Sequence, residues 1–67
     1  MISPHAHDRM AKRGARIRDV RNALANAETC KRAEEPDRWR TSGPDLDGDE
    51  LTVIVAFDGF AVVVTVF

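Results

Sequence analysis

The spacing of apolar residues divides the chain into two helical segments followed by a β-rich half. Ala6 and Met10 are four residues apart, so they lie on the same side of a helix. Ser3 can cap the first turn, and Pro4 suits the first helical position. Gly14 suits a left-handed C-terminal cap. These signals predict a first helix that begins at Pro4 and ends just before Gly14.

A second segment carries apolar residues at helical spacing. Ile17, Val20 and Leu24 recur every three or four residues, which predicts an amphipathic helix whose three apolar side chains enter the core. This helix should fade between Asn26 and Glu28. The predicted core is completed by side chains from the first helix and the β half: Met10, Ile17, Val20, Leu24 and Trp39.

The remainder of the chain reads as strands and turns. Val, Ile, Thr and Phe dominate residues 51–57 and 60–67, and Asp58-Gly59 between them favours a tight hairpin turn. Both faces of this hairpin are largely apolar, so its strands should be central and covered on more than one side, or covered by a partner. The other predicted elements are an edge strand at 29–35, a turn at Pro36-Asp37, a strand at 38–41 and a loop at 42–49.

This order predicts an α+β fold in which two N-terminal helices pack on a three- to four-stranded antiparallel sheet, αα then ββββ. Residues 1–67 form a single domain near the lower size limit for a self-sufficient core. The single cysteine, Cys30, excludes an intrachain disulfide and favours a reducing, cytoplasmic setting. The sequence shows no signal segment and no apolar run of membrane-spanning length.

The net charge of −1 conceals an asymmetry. Residues 1–32 carry eight lysines and arginines against three carboxylates, and residues 33–67 carry two against eight. A basic helical half can present a polyanion with an attractive face. The alternative is a solvated basic helix balanced by acidic turns.

One stripe of the first helix carries the residues that could take part in catalysis or bind phosphate. Successive residues turn by about 100°, so His5, Arg9, Lys12 and Arg16 would align if the helical direction continued that far, with Arg13 at the border. Imidazole titrates in the range that acid–base catalysis needs, and guanidinium groups match phosphate oxygens. The alternative for His5 is a capping or packing residue.

These residue types suit cleavage of RNA without a metal, because the 2′-hydroxyl of RNA is itself the nucleophile. His5 would be general base or acid, and Arg9 and Arg13 would hold the scissile phosphate. Arg38 and Arg40 alternate onto one face of their strand and would extend the basic groove, and Lys12 and Arg16 would add to it. Trp39, on the other face, either stacks a base or belongs to the core.

Metal sites are weaker interpretations. Asp45, Asp47 and Asp49 begin like a calcium loop, but the spacing is not completed downstream. A zinc site from His5, His7 and Cys30 would splay the two imidazoles apart on a helix and would lack a fourth ligand. We therefore expect neither a metal nor a cofactor.

Taken together, the ordered motifs resemble a known bacterial family. The pieces are His5-Ala6, Arg9-Met10, Arg13-Gly14, Asp19-Val20, Ala23-Leu24, Arg38-Trp39-Arg40 and the apolar runs 51–55 and 63–67. They resemble the bacterial domain-of-unknown-function family 4258. The resemblance implies a fold similar to the RelE- and BrnT-like ribonuclease toxins, and a domain that is often encoded beside a helix-turn-helix antitoxin or found at the end of larger bacterial toxins.

Carried over by position, the resemblance assigns the family's functional residues to His5, Arg9, Arg13, Arg38, Arg40 and Thr65. The chain departs from the family's pattern in two places. Ala15-Arg16 replaces the usual Ile-Ser/Thr after the glycine, and Phe67 replaces a common terminal tyrosine, whose phenol this chain would lack.

The leading hypothesis is a metal-independent ribonuclease toxin of a bacterial toxin–antitoxin system, with RNA and a cognate antitoxin as partners. The alternative is a non-catalytic interaction module that forms a homodimer or docks a partner protein through its C-terminal β-hairpin.

Overall fold

The computed structural model describes residues 2–35, 37–57 and 59–67, and it confirms the α+β fold. Two helices precede a four-stranded antiparallel sheet whose strands follow one another in chain order. The elements are α1 (Pro4–Arg13), α2 (Ile17–Ala25), β1 (Thr29–Arg32), β2 (Arg38–Pro44), β3 (Glu50–Phe57) and β4 (Ala61–Val66).

The ends of α1 form as the capping signals predict. The Ser3 hydroxyl oxygen accepts a hydrogen bond from the Ala6 N–H at 3.1 Å. Gly14 closes the helix with φ +75°, and its N–H donates to the Ala11 carbonyl. Ala6 and Met10 are buried against the sheet. Serine, proline and glycine therefore fix the two ends of α1, and Ala6 and Met10 form its inward side.

The inward side of α2 differs from the prediction. Val20 and Ala23 are buried, but Ile17 is 47% exposed and Leu24 is 37% exposed. The physical reason is the close approach of the Ala23 backbone to Gly43 of β2, where even a methyl group would lie 2.2 Å from the Ala23 carbonyl oxygen. This approach directs the Val20–Ala23 side toward the sheet and leaves Ile17 and Leu24 outside the core.

Asp19 fastens the start of α2 to the loop between β2 and β3. One carboxylate oxygen accepts from the Arg16 N–H at 2.9 Å, and the other accepts from the Leu46 N–H at 3.0 Å. These two backbone hydrogen bonds lower the pKa of Asp19 from its ordinary value of 3.8, and the nearby Arg16 charge adds to the effect. Arg16 is the N-cap of α2 and makes no side-chain capping hydrogen bond, so the Asp19 carboxylate of the first turn stabilises this end of the helix instead.

Asp19 should therefore contribute stability that acid removes. Because its pKa is lowered on folding, the contribution is complete well above pH 3.8 and is lost as the pH falls below that value toward the native pKa. We expect Asp19→Asn to lower the urea midpoint at pH 7, and the difference from wild type to shrink at pH 3. An equal difference at both pH values would contradict this role.

Strand β2 is longer than the sequence predicts and includes the first residues of the predicted loop. Residues 42–44 were expected in the loop 42–49, yet β2 continues to Pro44, which is paired with Glu50. Pro44 can end the strand because the Asn22 side-chain amide donates to its carbonyl oxygen at 3.0 Å. At the other edge, β1 stops at Arg32, three residues before the predicted end.

The two predicted turns are only partly described. Pro36 and Asp58 lie outside the described residues. Their neighbours Asp37 and Gly59 both have positive φ, +63° and +74°, a backbone conformation that tight turns use.

The helices cover one face of the sheet. α1 packs on β4, and α2 packs on β2 and β3. The buried core on this helix-covered face consists of Ala6, Met10, Val20, Ala23, Leu51, Val53, Val55, Val63 and Val66. We call the other face the open face, because no described element packs on it. The described residues of this chain therefore cover only one face of the C-terminal hairpin, and the expected alternative, that a partner covers the second face, stays a prediction.

β3 is a central strand, as predicted, but β4 lies at the edge of the four-stranded sheet. Its outer edge is partly closed by the N-terminal segment. Ile2 forms a parallel bridge with Val63, and the Ser3 N–H and hydroxyl donate to the Val63 and Val64 carbonyls, each at 2.9 Å. These bonds fix the start of α1 against β4.

Candidate nucleic-acid interface

His5 and Arg9 occupy the exposed side of α1. The helix buries Ala6 and Met10, so the residues one position before each of them are directed away from the core. Within the described part of the chain, neither side chain has a hydrogen-bond or ion-pair partner. An imidazole and a guanidinium group one helical turn apart are therefore accessible on a rigid support.

Lys12 and Arg13 both have partners. The Lys12 ammonium lies 3.1 Å from the Asp8 carboxylate, an exposed pair of small energetic value. The Arg13 guanidinium donates through Nη2 to the Glu50 carbonyl oxygen at 2.7 Å. A guanidinium group has five N–H donors, so Arg13 can hold the start of β3 and still contact a phosphate.

Arg16 does not belong to the row on α1. The left-handed Gly14 ends the helical direction, and Arg16 instead has extended backbone geometry as the N-cap of α2. The condition for its alignment with His5 is therefore not met, and Arg16 remains an exposed cation at the start of the second helix.

Arg38 and Arg40 lie on the open face, on the opposite side of the sheet from the helices. Arg40 pairs with Ile54 across β2 and β3, whereas the core residues Val53 and Val55 point the other way. Arg38 lies 2.6 Å from the Glu35 carboxylate. The single basic groove expected from the sequence is thus divided between two surfaces.

One end of the β3–β4 pair brings cations from both surfaces together. Thr52 and Phe67 exchange both backbone hydrogen bonds, at 2.8 and 2.9 Å. Glu50 precedes Thr52 by two residues, so its carbonyl points to the same side of β3, and Arg13 binds it there. On the open face, the Arg40 guanidinium lies 4.9 Å from the centroid of the Phe67 ring. Arg13 and Arg40 therefore approach the same corner of the sheet.

Trp39 faces the helix-covered side, as the strand alternation predicts. It is half-buried in an apolar cleft of about 490 Å³, and the Arg32 guanidinium lies 5.5 Å from its ring centroid. The cleft is lined by Leu24, Cys30, Trp39, Thr41, Val55, Phe57 and Ala61. The sheet separates Trp39 from Arg38 and Arg40, so a base stacked on Trp39 would lie on the other face of the sheet from these two arginines.

The acidic loop is organised by its own backbone. One Asp45 carboxylate oxygen accepts from the Asp47 and Asp49 N–H groups, each at 2.9 Å. Among residues 2–35, 37–57 and 59–67, no group of three or more histidine, cysteine or carboxylate side chains is arranged to hold a metal ion. The same residues contain no helix long and apolar enough to span a membrane.

The sequence did not single out a shallow trough on the open face. This trough has a volume of about 430 Å³, and its walls include Arg38, Ile54, Val64, Thr65 and Phe67. A register shift between Ile54 and Val55 interrupts the β3–β4 pairing opposite Val64, which lies between the paired residues Val63 and Thr65. The sequence signals for this surface were the apolar character of both faces of the hairpin and the family resemblance at Arg38, Thr65 and Phe67, but neither signal showed that these residues share one trough.

Comparison with known families identifies the chain. The model of the family described as "Domain of unknown function (DUF4258)" matches residues 2–67, so the protein belongs to this family. No curated protein gave a significant match, and no solved structure did either.

Proposed function

We propose that this protein is a metal-independent endoribonuclease, of the kind that acts as the toxin of a bacterial toxin–antitoxin pair. The observation that carries the proposal is the exposed pair of His5 and Arg9 on α1, a helix fixed to the sheet at both ends by Ser3 and Arg13. For transfer of a phosphoryl group to the substrate's own hydroxyl, the imidazole can move the proton and the neighbouring guanidinium group can stabilise the charge on the phosphate.

In the proposed reaction, His5 accepts the proton of the ribose 2′-hydroxyl as that oxygen attacks the adjacent phosphorus. The bond to the 5′-oxygen breaks, and this oxygen takes a proton from solvent. The products are a 2′,3′-cyclic phosphate and a 5′-hydroxyl. Arg9 neutralises the charge that develops on the phosphate oxygens, and Arg13, one helical turn further on, also binds these oxygens.

The test uses the wild-type protein with labelled RNA and with DNA of the same sequence, both in excess EDTA. We expect cleavage of the RNA into cyclic-phosphate products and no cleavage of the DNA, because only the RNA carries the nucleophilic hydroxyl. Cleavage of the DNA as well as the RNA, or RNA cleavage that EDTA abolishes, would contradict the proposed chemistry.

A second candidate function is supported by the apolar cleft. Phe57, which lines it, is 56% exposed, and Phe60, three residues further along the chain, is 57% exposed, so two aromatic side chains are accessible to a partner at this end of the hairpin. A protein-interaction module would leave both nucleic acids intact and would form a stable homodimer or complex at micromolar concentration. Intact RNA together with a dimer that Phe57→Ser dissociates would favour this function over the ribonuclease.

A further inference from the structure

The open face combines cations with an accessible aromatic ring. Phe67 is 40% exposed, and Arg40 lies over its ring rather than beside a carboxylate. Lys31, Arg40, Ile54 and Thr65 are paired in register across the four strands, so they form one row on this face. An aromatic ring, apolar side chains and two neighbouring cations, Lys31 and Arg40, are the groups that bind unpaired nucleotides.

We propose that the open face binds single-stranded RNA, with one unpaired base in the trough against Phe67 and the adjoining phosphates on Arg40 and Lys31. The proposal rests on the proposed function only in taking RNA as the ligand. It names the substrate class, single-stranded rather than duplex, and it assigns the binding surface separately from the α1 row.

The charges around the trough determine where the phosphates lie. Glu34 and Glu35 stand at one margin, and Arg38 is already paired with Glu35. In the row that continues from Ile54 and Thr65, neither Arg40 nor Lys31 has an ion-pair partner among the described residues. The RNA phosphates therefore follow Lys31 and Arg40 toward the corner where Arg13 binds Glu50. This path leads the RNA from the open face to the helix-covered side of the sheet.

The shape of the surface explains the selection of unpaired bases. Stacking on a side-chain ring requires a base whose face is free, and the bases of a duplex are already stacked on one another. Arg40 can contact the aromatic ring and a phosphate at the same time. Its guanidinium group can remain over Phe67 while its outward N–H donors bind the phosphate.

The experiment measures binding of a fluorescent single strand of about 12 nucleotides and of a duplex of the same sequence. The protein carries His5→Ala so that the probe stays intact. We expect Arg40→Gln and Phe67→Ser each to weaken single-strand binding about tenfold. Arg40→Gln should also reduce the slope of log affinity against log salt by about 0.7, whereas Phe67→Ser should leave the slope unchanged.

Two matched controls lie away from the open face. Arg21→Gln removes the same charge from the exposed surface of α2, and Phe57→Ser removes an exposed ring from the helix-covered side. Both should bind like the parent, and circular dichroism checks that every variant is folded. The inference is overturned if Arg21→Gln weakens binding as much as Arg40→Gln, if the duplex binds as tightly as the single strand, or if Phe67→Ser disrupts a homodimer without changing RNA binding.

The outcome is separable from that of the ribonuclease proposal. Single-strand binding that depends on Arg40 and Phe67, in a protein whose wild type does not cleave RNA, would support the open face and refute the enzyme. Cleavage by wild type with no effect of either variant on binding would support the enzyme and refute this surface.

Discussion

Replacing His5 by alanine is expected to lower the rate of RNA cleavage by about 10²–10⁴-fold, the usual contribution of a positioned general acid–base group. The imidazole is exposed and has no partner among the described residues, so its removal should change the free energy of unfolding by less than about 0.5 kcal/mol. Initial cleavage rates and urea unfolding curves of the two proteins measure both quantities.

His7→Ala is the matched control for this variant. His7 is also an exposed histidine of α1, but it is two positions further along and therefore points away from Arg9. Its substitution should leave the cleavage rate near that of wild type. If His5→Ala cleaves as fast as wild type, or if both variants lose the same activity, His5 is not the catalytic base.

The largest effect on stability is expected at Gly43. Gly43→Ala would place a methyl carbon 2.2 Å from the Ala23 carbonyl oxygen and 3.1 Å from the Ala27 Cα. Both contacts are with backbone, so relief requires the whole of α2 to move off β2. We expect the free energy of unfolding to fall by about 3 kcal/mol, a large part of the total for a domain of this size.

Gly48→Ala separates this steric effect from the loss of a glycine as such. Gly48 has φ +88°, but no atom lies within 4 Å of an added methyl group. Its substitution should cost about 1–2 kcal/mol of backbone strain. Equal losses in the two variants, measured by urea unfolding, would show that α2 does not depend on the close approach at Gly43.

The parts of the fold that were predictable are those encoded by neighbouring residues. Ser3, Pro4 and Gly14 act within one helical turn of the ends of α1, and their local geometry is as expected. The strands β3 and β4 follow from runs of β-branched residues around a short turn. In each case the signal and the structure involve the same few residues, so no tertiary information was required.

The parts that were not predictable depend on contacts distant in the sequence. Ile17 and Leu24 have the spacing of core residues, but the side of α2 that faces the sheet is chosen by the contact between Ala23 and Gly43. The extension of β2 to Pro44 depends in turn on its pairing with Glu50. Periodicity identifies an amphipathic helix more reliably than it identifies the centre of the buried side.

The candidate site shows the same division. Alternation correctly placed Trp39 opposite Arg38 and Arg40, because the period of a strand is local. The sequence could not show that the sheet lies between those arginines and His5, or that Arg13 reaches Glu50. Likewise, the contact of Arg40 with Phe67 joins residues 27 positions apart and has no local signature.

The hydrogen bonds between Ser3 and β4 also determine at what stage of synthesis α1 becomes fixed in the fold. Ser3 and Val64 lie 61 positions apart, so the anchor of α1 joins the first described element to the last. Because synthesis runs from the N-terminus, the ribosome makes α1 before it makes β4. Until β4 has been added, α1 lacks the strand that holds its N-terminal end, so the helix that carries His5 and Arg9 is fixed in place only when the last strand of this sheet has joined.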